Sequence, residues 1–226
     1  MTDRLAQKYP KDSRIKRIVL SPLFWGLTCL FFFGVPLTKS MIRKLPPPNP
    51  ALYELPEYEL VNQRGKPFGS LDLKGRFYIV NFFFTSCPTV CPKLMEKMKT
   101  IQHRVRGLGD YVALVSFTVD PEVDRPKKLF QEARKYRANP HIWYFLTGEK
   151  DEVRELIVGG FKTAMGDSTR VDGGSLYDIA HSQKLVLVDH EGKIRGFYAS
   201  DKAGINSLMI DLGLLVNREG GPGQRS

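Results

Sequence analysis

Cys87 and Cys91 stand in the run Thr85-Ser86-Cys87-Pro88-Thr89-Val90-Cys91-Pro92, two thiols separated by three residues with a proline after each. Such a pair can exchange a disulfide, hold a soft metal ion, or simply pack, and the spacing alone does not choose. The setting favours chemistry. The pair follows Phe77 to Phe84, a nearly all-apolar, β-prone run, and ligand sites of α/β sheets lie at the carboxyl ends of such strands. Pro92 suits a first helical position, so Cys91 is the predicted N-cap and Cys87 belongs to the preceding loop. A helix start favours a thiolate, drawing a thiol from ~8.5 toward the ~3.5 to 7.5 range of reactive cysteines. Two adjacent thiolates repel, so the second proton leaves most easily when a cation or a disulfide replaces it.

Four histidines are available to complete a metal site. His103 lies on a helix among Arg and Gln, His190 in a turn, and His141 after a proline at the start of a strand; all three read as surface residues. His181 differs, because it just precedes the strand Lys184 to Val188, and in a sheet where that strand neighbours the one before Cys87 its entering loop abuts the thiol turn. Disulfide oxidoreductases usually carry a cis-proline there, whereas this chain has no proline between Pro140 and Pro222. Two thiolates and an imidazole form a soft set suited to Cu(I), and able to hold Cu(II) with a further ligand; structural zinc normally takes four.

The elements that must position these residues are legible from periodicity. Val112 to Val119 is a second apolar strand, and between the two strands Leu94, Met95, Met98, Ile101 and Val105 recur at helical spacing, giving a parallel crossover. The two methionines read as core rather than as copper ligands. Asp124 to Arg137 is a predicted helix with Leu129, Phe130, Ala133 and Tyr136 as its buried stripe. A strand at Ile142 to Phe145, a helix near Glu149 to Val158, a hairpin of Lys184 to Val188 with Ile194 to Tyr198, and a helix from Ala203 to Val216 follow. Glu59 to Val61 and Phe68 form a short leading hairpin. The order is that of a thioredoxin-like α/β fold, a central mixed sheet flanked by helices.

The chain of 226 residues carries a formal charge of +10, but residues 1–44 hold nine Lys/Arg against two Asp/Glu. The other 25 basic and 22 acidic residues nearly balance, so no nucleic-acid partner is expected. Ile18 to Leu37 has twenty residues without a charge, enough at 1.5 Å each to cross a ~30 Å hydrocarbon core. It reads as an uncleaved N-terminal transmembrane helix, since a signal peptide would have a shorter apolar region and a small-residue cleavage pattern. Six basic residues before it (Arg4, Lys8, Lys11, Arg14, Lys16, Arg17) against three after it (Lys39, Arg43, Lys44) place the N-terminus inside. The expected organisation is a cytoplasmic segment at 1–17, an anchor at 18–37, a Pro-rich spacer at 38–52, the thioredoxin-like domain at 53–217 and a disordered tail at 218–226. The domain would face the periplasm or an equivalent oxidising compartment. Cys29 falls within the span.

These residues resemble the Sco/SenC family of membrane-anchored copper-binding proteins of cytochrome c oxidase assembly. The resemblance covers about Tyr58 to Leu215 and is carried by Phe82 to Pro92, by Thr118-Val119-Asp120-Pro121-Glu122-Val123-Asp124, and by His181-Ser182. It implies that Cys87, Cys91 and His181 bind copper, and that Asp120 supports them. Two positions depart from the family pattern, Ala180 and Asn81, where aspartate is frequent. The resemblance implies a metallochaperone for the oxidase's binuclear copper centre, with the copper-bearing subunit as partner and a copper donor or thiol reductant upstream. The alternatives are a thiol-disulfide reductase using Cys87 and Cys91 on the client's cysteines, and a thiol-based redox sensor or peroxidase.

Overall fold

Ser21 opens the first helix: its side chain accepts the Phe24 N–H at 3.2 Å, and Pro22, which has no N–H to leave unpaired, takes a first-turn position. The structure, a computed structural model, describes residues 20–42, 46–161 and 183–219. Helix α1 (Pro22–Cys29) passes into a π turn (Leu30–Gly34) and then into α2 (Val35–Ile42). The π turn lies just before Pro36, whose ring crowds the carbonyl four residues back and shifts the hydrogen bonding there. Thr38 donates its hydroxyl to the Gly34 and Val35 carbonyls, each at 3.0 Å. No residue of α1 is buried, and Leu23, Trp25, Leu27 and Phe31 to Phe33 are exposed. Among the described residues no helix is long and apolar enough to cross a membrane.

The chain from Pro47 onward forms its own compact unit. Its strands are β1 (Tyr53–Glu54), β2 (Glu59–Asn62), β3 (Pro67–Gly69), β4 (Phe77–Phe83), β5 (Val112–Thr118), β6 (Trp143–Thr147), β7 (Lys184–Val188) and β8 (Lys193–Ala199). Its helices are α3 (Val90–Val105), α4 (Pro126–Lys135), α5 (Lys150–Glu155) and α6 (Lys202–Glu219). Among the described residues they build one sheet in the order β1-β8-β7-β4-β5-β6-β2-β3. β4, β5 and β6 run parallel, while β7 lies antiparallel to β4 and β8 antiparallel to β7. This is the mixed sheet with flanking helices expected of a thioredoxin-like fold.

Strand β4 is buried at every position because its two faces meet two cores. Phe77, Ile79 and Phe83 pack with α3, α4 and α6 through Leu94, Met98, Leu129 and Leu208; Tyr78, Val80 and Phe82 pack on the other side with Val153, Ile157 and Phe161. The α3 stripe of Leu94, Met95, Met98, Ile101 and Val105 is buried throughout, as its spacing predicts. On α4, Leu129, Ala133 and Tyr136 are buried, but Phe130 is 44% exposed. One residue is a turn of ~100° on a helix, which carries Phe130 off the face that Leu129 presents to the sheet.

The expected spacer at 38–52 is structured at both ends. Helix α2 extends through Thr38 to Ile42. Within the second unit, Asn49 donates its Nδ2 to Asp211 at 2.8 Å, its carbonyl accepts from Arg195, and the Leu52 N–H donates to the Ile194 carbonyl at 2.8 Å. At the other end α6 includes Arg218 and Glu219, and the rest of the expected tail lies outside the described residues.

Candidate metal and redox centre

Strand β4 ends at Phe83, and its continuation turns back: the Cys87 N–H donates to the Phe84 carbonyl at 3.3 Å. Helix α3 then begins at Val90 with Thr89 before it. Cys91 is therefore the second helical residue and not the cap that Pro92 had suggested. Proline fits equally well two residues further in, still within the first turn, because none of the first N–H groups of a helix has an intrahelical partner. Moving the helix start forward by two residues aims its free amides at the first sulfur.

The Cys91 N–H donates to the Cys87 sulfur at 3.4 Å. Both cysteines are free thiols and both are buried, at 5% and 3% exposure. Burial pushes the Cys87 thiol up, but hydrogen bonds from the Cys91, Thr89 and Val90 amides and from the Cys91 side chain outweigh it, and the thiol settles at about 7. Cys91 goes the other way. Its burial pushes it up to about 12; a bond from the Phe84 amide opposes this, and the Cys87 and Asp124 charges reinforce it. The pair thus holds one readily ionised sulfur and one protonated neighbour that donates to it.

Asp124, which closes the Thr118–Asp124 motif and is expected to start a helix, lies two residues before α4. It is fully buried and joins the thiol turn to the next strand. It accepts the Thr85 N–H at 2.9 Å, the Thr85 hydroxyl, and the Thr118 hydroxyl at 2.7 Å, and it pairs with Lys128 at 3.5 Å. The N-cap of α4 is Arg125, which makes no side-chain cap, so Asp124 is left to face inward. Asp120, the carboxylate predicted to support the site, is half-buried and shapes the turn through its backbone. Its N–H donates to Thr118 Oγ1 at 3.0 Å, and its carbonyl accepts from Val123 and Asp124. The available signal is a second aspartate four residues after Asp120, directly before the Arg125-Pro126 helix start.

Beneath the turn runs a buried polar chain. The Trp143 indole N–H donates to Ser116 Oγ at 2.9 Å, Ser116 donates to Asn81 Oδ1 at 2.6 Å, and Asn81 Nδ2 reaches the Met95 sulfur at 3.6 Å. Met95 is one turn along α3 from Cys91, so the chain pins that helix to the centre of the sheet.

Two soft sulfur donors in mutual contact are suited to part of a copper site. Among the described residues no group of three His, Cys, Asp or Glu side chains is arranged to hold a metal ion. His181 lies outside the described residues. His103 and His141 are exposed, and His190 packs its ring against Phe77 at 5.3 Å.

The SCO1/SenC family model matches residues 48–211. A SCO1 protein homolog of Bacillus subtilis is 32% identical over 147 residues, which is 65% of this chain and 74% of that protein. The solved structure of BsSco, a member of the Sco family of cytochrome c oxidase assembly proteins with a disulfide switch, is 29% identical and superimposes with a TM-score of 0.60. It covers 74% of this chain and 96% of its own. Bradyrhizobium japonicum ScoI with copper bound matches in fold, at 22% identity and a TM-score of 0.54 over 71% of this chain and 97% of that one.

Proposed function

Because the chain belongs to the SCO1/SenC family, we propose that it is a copper metallochaperone for the binuclear copper centre of a cytochrome c oxidase. Cys87, Cys91 and His181 hold the copper, and residues 18–37 anchor the protein in the cytoplasmic membrane. The observation that carries the reading is the contact of two thiols at the mouth of β4, one of them solvated by three backbone amides. Soft thiolates bind copper after losing their protons, and the amides lower the cost of ionising the first. The anchor is supported by the exposed apolar side chains of α1 and the π turn, Leu23, Trp25, Leu27 and Phe31 to Phe33 among them. The basic excess before that segment orients the N-terminus inward and the domain toward the periplasm.

The test is anaerobic copper titration of the full-length chain in detergent, together with oxidase assembly in cells. One copper per chain is expected, lost in Cys87→Ser and Cys91→Ser and weakened in His181→Ala. Normal assembly with His181→Ala would overturn the chaperone role.

A second reading, dithiol reduction of the client's cysteines, is favoured by the unequal thiols. The Cys87 thiolate attacks the client disulfide and forms a mixed disulfide, releasing one client thiolate. Cys91 then gives up its proton and attacks the Cys87 sulfur, releasing the second. The pair ends as a disulfide and the client has gained two electrons. A His181→Ala variant would retain this exchange while its copper binding is weakened.

A further inference from the structure

We infer that the buried Asp124 carboxylate biases the Cys87–Cys91 pair toward Cu(II) over Cu(I), acting through its charge and not as a ligand. The inference rests on the copper reading above and concerns which oxidation state the cargo adopts.

Two thiolates with Cu(I) carry a net charge of −1, and with Cu(II) a net charge of zero; a neutral imidazole changes neither. A fixed negative charge nearby therefore disfavours the first state more than the second. Asp124 has no exposed surface, so solvent and salt screen it poorly. Its oxygens are occupied by Thr85, Thr118 and Lys128, so it is not presented to the metal. It is also held close: its partner Thr85, whose amide it accepts at 2.9 Å, is two residues from Cys87. Lys128 offsets the charge only in part, because it pairs at 3.5 Å and its side chain is 40% exposed and hydrated.

The test measures Cu(I) and Cu(II) affinities of the full-length chain anaerobically, by competition with bicinchoninate for Cu(I) and nitrilotriacetate for Cu(II). Asp124→Asn keeps the size and removes the charge. It should raise the ratio of Cu(I) to Cu(II) affinity about tenfold, equivalent to ~59 mV in a one-electron couple. Lys128→Gln, on an exposed side chain, should move the ratio the opposite way by a few fold. Thr118→Val removes a hydrogen bond but no charge and should leave the ratio unchanged. Should Asp124→Asn fail to fold, the sign of the Lys128→Gln shift decides. An unchanged ratio in Lys128→Gln, or equal shifts in Asp124→Asn and Thr118→Val, would overturn the inference while leaving copper binding intact. A wild-type chain that binds neither ion would instead overturn the functional reading itself.

Discussion

The amide of Cys91 donates to the sulfur of Cys87 at 3.4 Å, so the second cysteine of the pair activates the first through its backbone. Because Cys91 sits inside the first turn of α3, its N–H is one of those a helix cannot satisfy internally. The sulfur occupies the place an anion takes at a helix start.

Thiol reactivity should therefore be unequal and pH-dependent. Cys87, held at about 7, is half thiolate near that pH, and its alkylation by iodoacetamide should rise from pH 6 to 8 and then level off. Cys91, at about 12, should stay unreactive over that range. Peptide mapping of the modified chain reads both. Cys91→Ser replaces the S–H donor with a hydroxyl and retains the amide, so Cys87 should keep its ready alkylation near neutral pH. Fast labelling of Cys91 would contradict the arrangement.

The same shift has a consequence for stability. A thiol whose folded value is depressed adds stability above its unfolded value of ~8.5, and that contribution is lost as pH falls through the folded value near 7. The raised Cys91 value works against it above ~8.5, where the unfolded thiol ionises and the folded one does not. Cys91→Ala should therefore make the denaturation midpoint less sensitive to pH between 8.5 and 10, measured by urea unfolding of the reduced chain.

Removing the Asp124 side chain should be costly. Asp124→Ala leaves the Thr85 amide and two hydroxyls without their acceptor in a buried site, and about 3 kcal/mol of destabilisation is expected. Thr118→Val, which removes one donor, should cost about 1 kcal/mol. Denaturant titration compares the two; equal costs would show that Asp124 is not the centre of the network.

Ser116→Ala breaks the buried polar chain at its middle, leaving the Trp143 indole N–H and the Asn81 carbonyl without their partner. A loss of about 1–3 kcal/mol is expected. A change in Trp143 fluorescence should accompany it, since that indole is fully buried against Phe145.

Asn49 fastens the segment before β1 to Asp211, which also accepts the Tyr198 hydroxyl at 2.7 Å. Asn49→Ala should change overall stability by less than about 1 kcal/mol, because the contact is exposed. It should speed proteolysis of the chain near residues 46–52 several fold. Unchanged cleavage would mean that the backbone bonds of Leu52 alone hold the segment.

Much of this architecture is legible in the sequence. The apolar run at β4, the period of α3, the turn residues after Val188 and the position of both cysteines are local signals; β4, β7 and β8 formed within a residue of their expectation, whereas α6 runs three residues further, to Glu219. The helix start was placed two residues late because a proline fits anywhere in a first turn, and nothing in the sequence says which position it takes. Phe130 was assigned to the core on spacing, although a helix of ten residues buries only the face that meets the sheet.

By itself, then, the sequence determined the order of the elements, the strand end that carries the two thiols, and the soft character of those donors. Those features depend on residue type and on neighbours a few positions away. Only the tertiary structure decided that Asp124, and not Asp120, bonds the thiol turn, that Asn49 meets Asp211 across 162 positions, and that β2 pairs with β6. It also holds the Cys87 thiol low and the Cys91 thiol high. That difference comes from which amides and which buried charge surround each sulfur, and these are brought together by the path of the chain through the sheet.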